Sequence, residues 1–105
     1  MSEELAELKR AITTLCNMPF PEKCEGRTVA GVVLENVDTK TVGCLATFIK
    51  LKGGLDETRR GILKDTVREL RLALPELDGD AEAQEYFALM EQVAARALDL
   101  LGDPA

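Results

Sequence analysis

Three cysteines are the residues of this chain best suited to chemistry, since its 105 residues include no histidine. They are Cys16, Cys24 and Cys44. Cys24 follows Lys23 and lies near Arg27 in a polar segment, where positive charge would stabilise a thiolate. A thiol-based redox switch that uses Cys16 and Cys24 is therefore one hypothesis for the function.

Other kinds of catalysis have little support in the residue types present. General acid–base and nucleophilic mechanisms near neutral pH most often use histidine, and Ser2 is the only serine. Acidic residues such as Glu82 and Glu85 fall on predicted polar helix faces, where they serve solubility. Successive cysteines are eight and twenty residues apart, so no pair has the spacing of two to four residues that a zinc knuckle uses. A site of three thiolates and one acid is the alternative to the interpretation of these cysteines as small buried residues. We expect no enzymatic activity, no bound metal and no cofactor.

Charge is distributed unevenly along the chain, whose formal net charge is −6. Residues 1–54 hold seven acidic and seven basic residues, and residues 55–105 hold twelve acidic and six basic ones. A negative field opposes the approach of phosphates. We therefore expect neither a nucleic acid nor an anionic membrane surface as the partner.

The chain also lacks the signals of an exported or membrane protein. No run approaches the roughly 20 apolar residues that span a bilayer. The first residues, Met-Ser-Glu-Glu, are acidic, whereas a secretion signal opens with basic residues. An odd number of cysteines does not suit a disulfide scaffold. We expect a cytoplasmic protein.

Three segments have apolar residues at intervals of three or four, which predicts amphipathic helices that would position the candidate residues. The first segment begins after Ser2, which can cap a helix, and ends before Pro19. The second begins after Asp56 and ends at the following proline. The third begins after Asp80 and runs to Leu101. The stripes are Leu5, Leu8, Ile12 and Leu15; Leu63, Val67, Leu70 and Leu74; and Tyr86, Met90, Val93, Ala97 and Leu100.

The segment 28–52 supports two interpretations. It is rich in valine, threonine and isoleucine, which favour strands. Strict alternation is absent, so we expect helices at about 28–36 and 39–52, with Asp38 as a cap and Gly53-Gly54 as a stop. The sequence thus predicts an all-α domain over residues 1–105, a four- or five-helix bundle. The alternative is an α+β fold with a β-hairpin at about 28–51 that turns near Asp38.

Residues 37–42, Val-Asp-Thr-Lys-Thr-Val, resemble the turn and early recognition helix of helix-turn-helix DNA readers. In that family a small polar residue caps the second helix, and a Thr-Val pair follows. The resemblance implies a small transcriptional regulator whose second helix presents Lys40, Lys50 and Lys52 to DNA. That helix contains no arginine, asparagine or glutamine to read base edges bidentately. A capped helix in a bundle is the other interpretation of these residues.

The last predicted helix has a wide apolar arc, which leads to the principal hypothesis. Exposed apolar stripes on amphipathic helices commonly contact a partner. We expect a non-enzymatic protein–protein interaction module, such as an adaptor, a regulatory subunit or an immunity-type inhibitor, that binds another protein or a second copy of itself. The alternative is that the apolar arc is buried in the domain's own core. The candidate surface residues are Tyr86, Phe87, Met90, Val93, Leu98 and Leu101.

Overall fold

Four helices and one short hairpin make up the computed structural model, which describes residues 2–105 and the side chains from Glu3 onward. The expected all-α bundle is confirmed, whereas the cap expected at Ser2 involves a side chain outside the described part. The elements are α1 (Ser2–Asn17), β1 (Thr28–Val29), β2 (Val32–Val33), α2 (Leu34–Lys50), α3 (Glu57–Ala73) and α4 (Ala81–Leu100), with 3-10 turns at Glu22–Cys24 and Leu74–Leu77.

The helices alternate in direction along the chain. A Cβ at Gly53 would come within 3.3 Å of the side chain of Leu5, so the start of α1 lies beside the end of α2. Lys40 of α2 pairs with Glu69 of α3 at 3.6 Å. α3 and α4 also run antiparallel, since Lys64 pairs with Asp103 at 2.5 Å and Arg71 pairs with Glu91 at 3.0 Å. The result is an up-down-up-down bundle.

Local capping chemistry places the ends of α3 and α4 where the sequence predicts. The Asp56 carboxylate accepts a hydrogen bond from the Arg59 N–H at 3.1 Å. Asp80 accepts one from the Ala83 N–H at 3.2 Å. Each cap satisfies a backbone donor that lacks a partner in the first helical turn. After α2, the left-handed positions are Lys52, at φ 56°, and then Gly53, at φ 95°, whose N–H donates to the carbonyl oxygen of Phe48 at 2.8 Å.

The interpretation of residues 28–52 as two helices is wrong. Thr28–Val33 is a two-stranded antiparallel hairpin, and one continuous helix follows from Leu34 to Lys50. Ala30 at φ 52° and Gly31 at φ 78° form the turn, the two left-handed positions that a tight two-residue hairpin requires. The alternative hairpin is also misplaced, because its expected turn at Asp38 lies inside α2.

The core runs the length of the bundle and draws on all four helices. Phe48 of α2 and Phe87 of α4 are its largest fully buried side chains. Phe20, in the loop after α1, packs edge-to-face on Tyr86 and on Phe87, with ring centroids 6.0 Å apart in each pair. This contact anchors the loop to α4.

Replacing Phe48 with alanine should lower the free energy of unfolding by about 3–5 kcal/mol, because it opens a cavity in the core. Leu51, 52 % exposed just beyond the same helix, is the matched control, and Leu51→Ala should cost less than about 0.5 kcal/mol. Urea denaturation of both variants measures the difference. Equal losses would contradict this assignment of the core.

Lys52 adopts φ 56°, a left-handed conformation that disfavours a side chain. Lys52→Gly should therefore raise the free energy of unfolding by about 0.5–1 kcal/mol. Lys50→Gly, at the helical end of α2, should instead lower it by up to about 1 kcal/mol. Thermal denaturation of the two variants checks the opposite signs, and a loss of stability in both would rule out strain at Lys52.

Candidate functional site

The apolar arc of α4 lies inside the bundle and not on its surface. Of the six residues expected to form a partner surface, only Leu101 is partly exposed. The other five are at most 4 % exposed: Tyr86, Phe87, Met90, Val93 and Leu98. The expected partner surface is buried because α4 packs against α1, α2 and α3. Three neighbouring helices cover a wider arc than a single partner helix would.

The cysteines do not form the activated thiol that the sequence suggested. Cys24 is fully buried, whereas we expected it in a polar loop. Burial raises the pKa of its thiol, as does the charge of Asp80, and Arg27 only partly offsets them. Cys16 is exposed, but partial burial and the nearby Asp38 carboxylate raise its thiol pKa too. Both environments disfavour the reactive thiolate.

Cys44 has a structural environment. It is buried on the side of α2 that faces α3, and its thiol donates to the carbonyl oxygen of Arg59 at 3.6 Å. Burial raises its pKa. From residue 2 to residue 105, no three cysteine, aspartate or glutamate side chains converge in a way that would hold a metal ion.

The three lysines of the DNA-binding hypothesis are spread along α2 and beyond its end. Lys40 pairs with Glu69, Lys50 ends α2, and Lys52 lies in the turn beyond it. The turn that a helix-turn-helix needs near Asp38 is absent, because α2 is continuous from Leu34 to Lys50. The resemblance at residues 37–42 is therefore not realised in the fold.

A polar pair joins α2 to α4 where α1 ends. The Tyr86 hydroxyl donates a hydrogen bond to the Asp38 carboxylate. Burial raises the pKa of Asp38 above its usual value, although this hydrogen bond opposes the shift. Burial and the same bond raise the pKa of Tyr86 well above that of a free phenol. Asp38 is thus a partly desolvated carboxylate satisfied by tyrosine, and not the helix cap that we expected.

The net charge of the chain is concentrated at one end of the bundle, where α1 finishes and α4 begins. We call this the acidic end, formed by residues 18–36 and 72–85. These segments hold eight of the nineteen acidic residues but only two of the thirteen basic ones. Their formal charge is therefore −6, equal to that of the whole chain.

Only two carboxylates of the acidic end are engaged in the fold. Glu35 accepts from the Gly26 N–H at 3.1 Å, and Asp80 caps α4 and pairs with Arg27 at 3.6 Å. The other six are exposed and form no ion pair with any residue of the described chain. They are Glu22, Glu25, Glu76, Asp78, Glu82 and Glu85.

Exposed apolar side chains accompany these carboxylates. Leu72, on the last turn of α3, is 62 % exposed, and Val33 of β2 is 40 % exposed. Leu72 points away from the core, because Leu70 and Ala73 beside it are fully buried. β2 packs against α3, so Val33 and Leu72 lie at the same end of the bundle.

Leu72 is not among the site residues that the sequence predicts. The available signal was its position outside the apolar stripe of the second predicted helix, on the face that carries Asp65 and Arg68. Such an apolar residue on a polar helix face is a weak signal alone, because single exposed leucines are common. Its position at the acidic end depends on how the hairpin and α4 pack.

The opposite end of the bundle has exposed leucines but mixed charge. Leu51 is 52 % exposed and Leu100 is 37 % exposed. A shallow open cleft lies there, lined by Glu4, Arg96, Asp99 and Leu100. Because both signs of charge line this cleft, it does not select a charged partner.

Comparisons with family models, with curated proteins and with solved structures find no match to this chain. In the described part of the chain, no helix combines the length and the apolar character that crossing a bilayer requires. The candidate site therefore depends on the geometry alone, and the acidic end is the surface that the geometry singles out.

The Asp38–Tyr86 pair should make stability depend on pH in a defined direction. Because the native state raises the pKa of Asp38, the native state binds this proton more tightly than the unfolded chain does. The resulting stabilisation is present at low pH and is lost as the pH rises through the native pKa. Asp38→Asn should therefore gain stability relative to the unmodified chain as the pH rises above about 3.9, the ordinary pKa of aspartate.

The Tyr86→Phe variant supplies the control for this pair. At neutral pH it should cost about 1–2 kcal/mol, because the Asp38 carboxylate loses its donor. The cost should shrink when Asp38→Asn is already present, and urea denaturation of the four proteins in a double-mutant cycle measures this coupling. Strictly additive losses at pH 7 would show that the hydrogen bond contributes nothing.

Proposed function

We propose that this chain is a non-enzymatic protein-interaction module that binds a different protein through its acidic end. The observation that carries the proposal is Leu72, an outward-pointing leucine that is 62 % exposed at the end of the bundle that holds the entire net charge. Exposed apolar surface with a polar rim is typical of binding sites. An adaptor, a regulatory subunit or an inhibitor would use such a surface.

The apolar and charged groups have separate roles in this proposal. Transferring a leucine side chain from water into an interface is worth about 1.5–3 kcal/mol, so Leu72 supplies affinity. Rim carboxylates contribute little affinity each, but they speed association and exclude partners of the same sign. A second copy of the chain is one such excluded partner, because its acidic end would bring the same charge of −6.

The free thiols support an intracellular setting for this role. Cys24 and Cys44 are buried and unpaired, and reducing compartments keep thiols in that state. We therefore propose that the module acts in the cytoplasm.

Site-specific photo-crosslinking in cells that produce the protein tests this proposal. A photoreactive residue at Leu72 should capture a distinct protein, and the same residue at Leu100, an exposed leucine of the opposite end, should not. Capture at Leu72 should be reduced when Glu76, Asp78 and Glu82 are changed to their amides, since the rim then no longer steers the partner.

Three results would count against the proposal. They are equal capture from both leucines, capture that ignores the amide substitutions, and crosslinks only between copies of this chain. Circular dichroism of each variant checks that the fold is retained. The substituted positions are exposed, where changes usually alter stability by less than about 0.5 kcal/mol.

A further inference from the structure

The chemistry of the acidic end also defines the class of partner, and this inference rests on the proposed function. We infer that the acidic end receives a segment of another protein that is rich in lysine and arginine and carries apolar side chains among its basic ones. The two halves of that description come from two observations: six unpaired carboxylates, and two exposed apolar residues at the same end.

The arrangement of the carboxylates favours an extended cationic partner over a metal ion. A cation site requires several oxygen ligands directed at one point. No such convergence exists among the described residues. Instead the unpaired carboxylates are distributed over the 3-10 turn at Glu22–Cys24, the turn between α3 and α4, and the first turns of α4. Charges spread over three elements match several basic side chains on one chain.

The carboxylates that already have partners support the same conclusion. Arg27 is paired with Asp80 at 3.6 Å, and Arg68, near Leu72 on α3, pairs with Asp65. Both arginines are therefore engaged with acids other than the six unpaired ones, and exposed Lys23 is the one base of the acidic end that forms no ion pair with a described residue. The remaining negative charge is available to a partner and repels nucleic acid and anionic lipid.

The apolar residues decide what the basic segment must also contain. A purely basic chain would leave Leu72 and Val33 in water, 62 % and 40 % exposed. A segment with apolar side chains between its lysines and arginines buries both and keeps its charges over the rim. Its binding should weaken with added salt, because exposed charges are screened over about 8–10 Å, but part of the affinity should remain.

Synthetic peptides test this partner class directly, with fluorescence anisotropy as the readout. The first peptide combines lysine with leucine, the second replaces every leucine with serine at equal charge, and the third replaces every lysine with glutamate. The first should bind most tightly, and the third should not bind. Leu72→Ser should weaken binding of the first peptide several-fold but leave the second unaffected.

Two charge variants separate a local rim from bulk attraction. The first variant combines Glu76→Gln, Asp78→Asn, Glu82→Gln and Glu85→Gln. It should bind the lysine–leucine peptide about tenfold more weakly, because it loses four exposed ion pairs of a few tenths of a kcal/mol each. The matched control neutralises Glu3, Glu4, Glu7 and Glu57, which are exposed away from the acidic end. This control has the same net charge as the first variant, but it should bind the peptide as tightly as the unmodified chain does.

The inference is overturned if both variants weaken binding equally, or if the leucine and serine peptides bind alike. These failures differ from a failure of the proposed function. Crosslinking confined to Leu72, together with no preference among the peptides, would leave the interaction role intact and would reject a basic partner. Loss of specific crosslinking would reject the role itself.

Discussion

Burial of α4 on three sides is the constraint on which the rest of this structure depends. Its apolar arc is too wide for one neighbouring helix, so α1, α2 and α3 all pack against it. Phe87, Met90, Ala94 and Leu98 consequently have no exposed surface. Because aromatic and aliphatic burial of this kind is the main favourable term in folding, the other helices are arranged around this one.

This arrangement also decides where function can reside. Because the apolar face of α4 is buried, binding depends on residues at the ends of the bundle and on the outward faces of the helices. The segments that connect α1 to α2 and α3 to α4 meet at one end and hold five of the eight acidic residues of the acidic end. Leu72 becomes significant only because it is exposed beside them. Binding residues on connecting segments of a rigid scaffold are a common arrangement.

The polar contacts inside the bundle are few and specific. Thr41 and Thr66 are fully buried, and each donates to a carbonyl of its own helix, at 2.7 Å and 2.9 Å. The Tyr86–Asp38 hydrogen bond instead joins two helices. Because a partly buried carboxylate without a donor is costly, this bond specifies how α2 is placed against α4. The carboxylate that resembles a cap in the sequence thus acts as a tertiary contact.

The sequence by itself determined the features that are set over one helical turn. Apolar spacing and the caps Asp56 and Asp80 located α3 and α4, and the all-α class followed, because these signals depend on neighbours three or four residues away. Only the tertiary structure decided that Thr28–Val33 pairs as a hairpin, that Cys24 is buried, and that α4 has no free apolar face. The burial of Cys24 and of α4 depends on contacts between segments distant along the chain, and the hairpin, whose strands pair locally, also packs against α3. The acidic end has the same origin, because packing brings two separate segments to one surface.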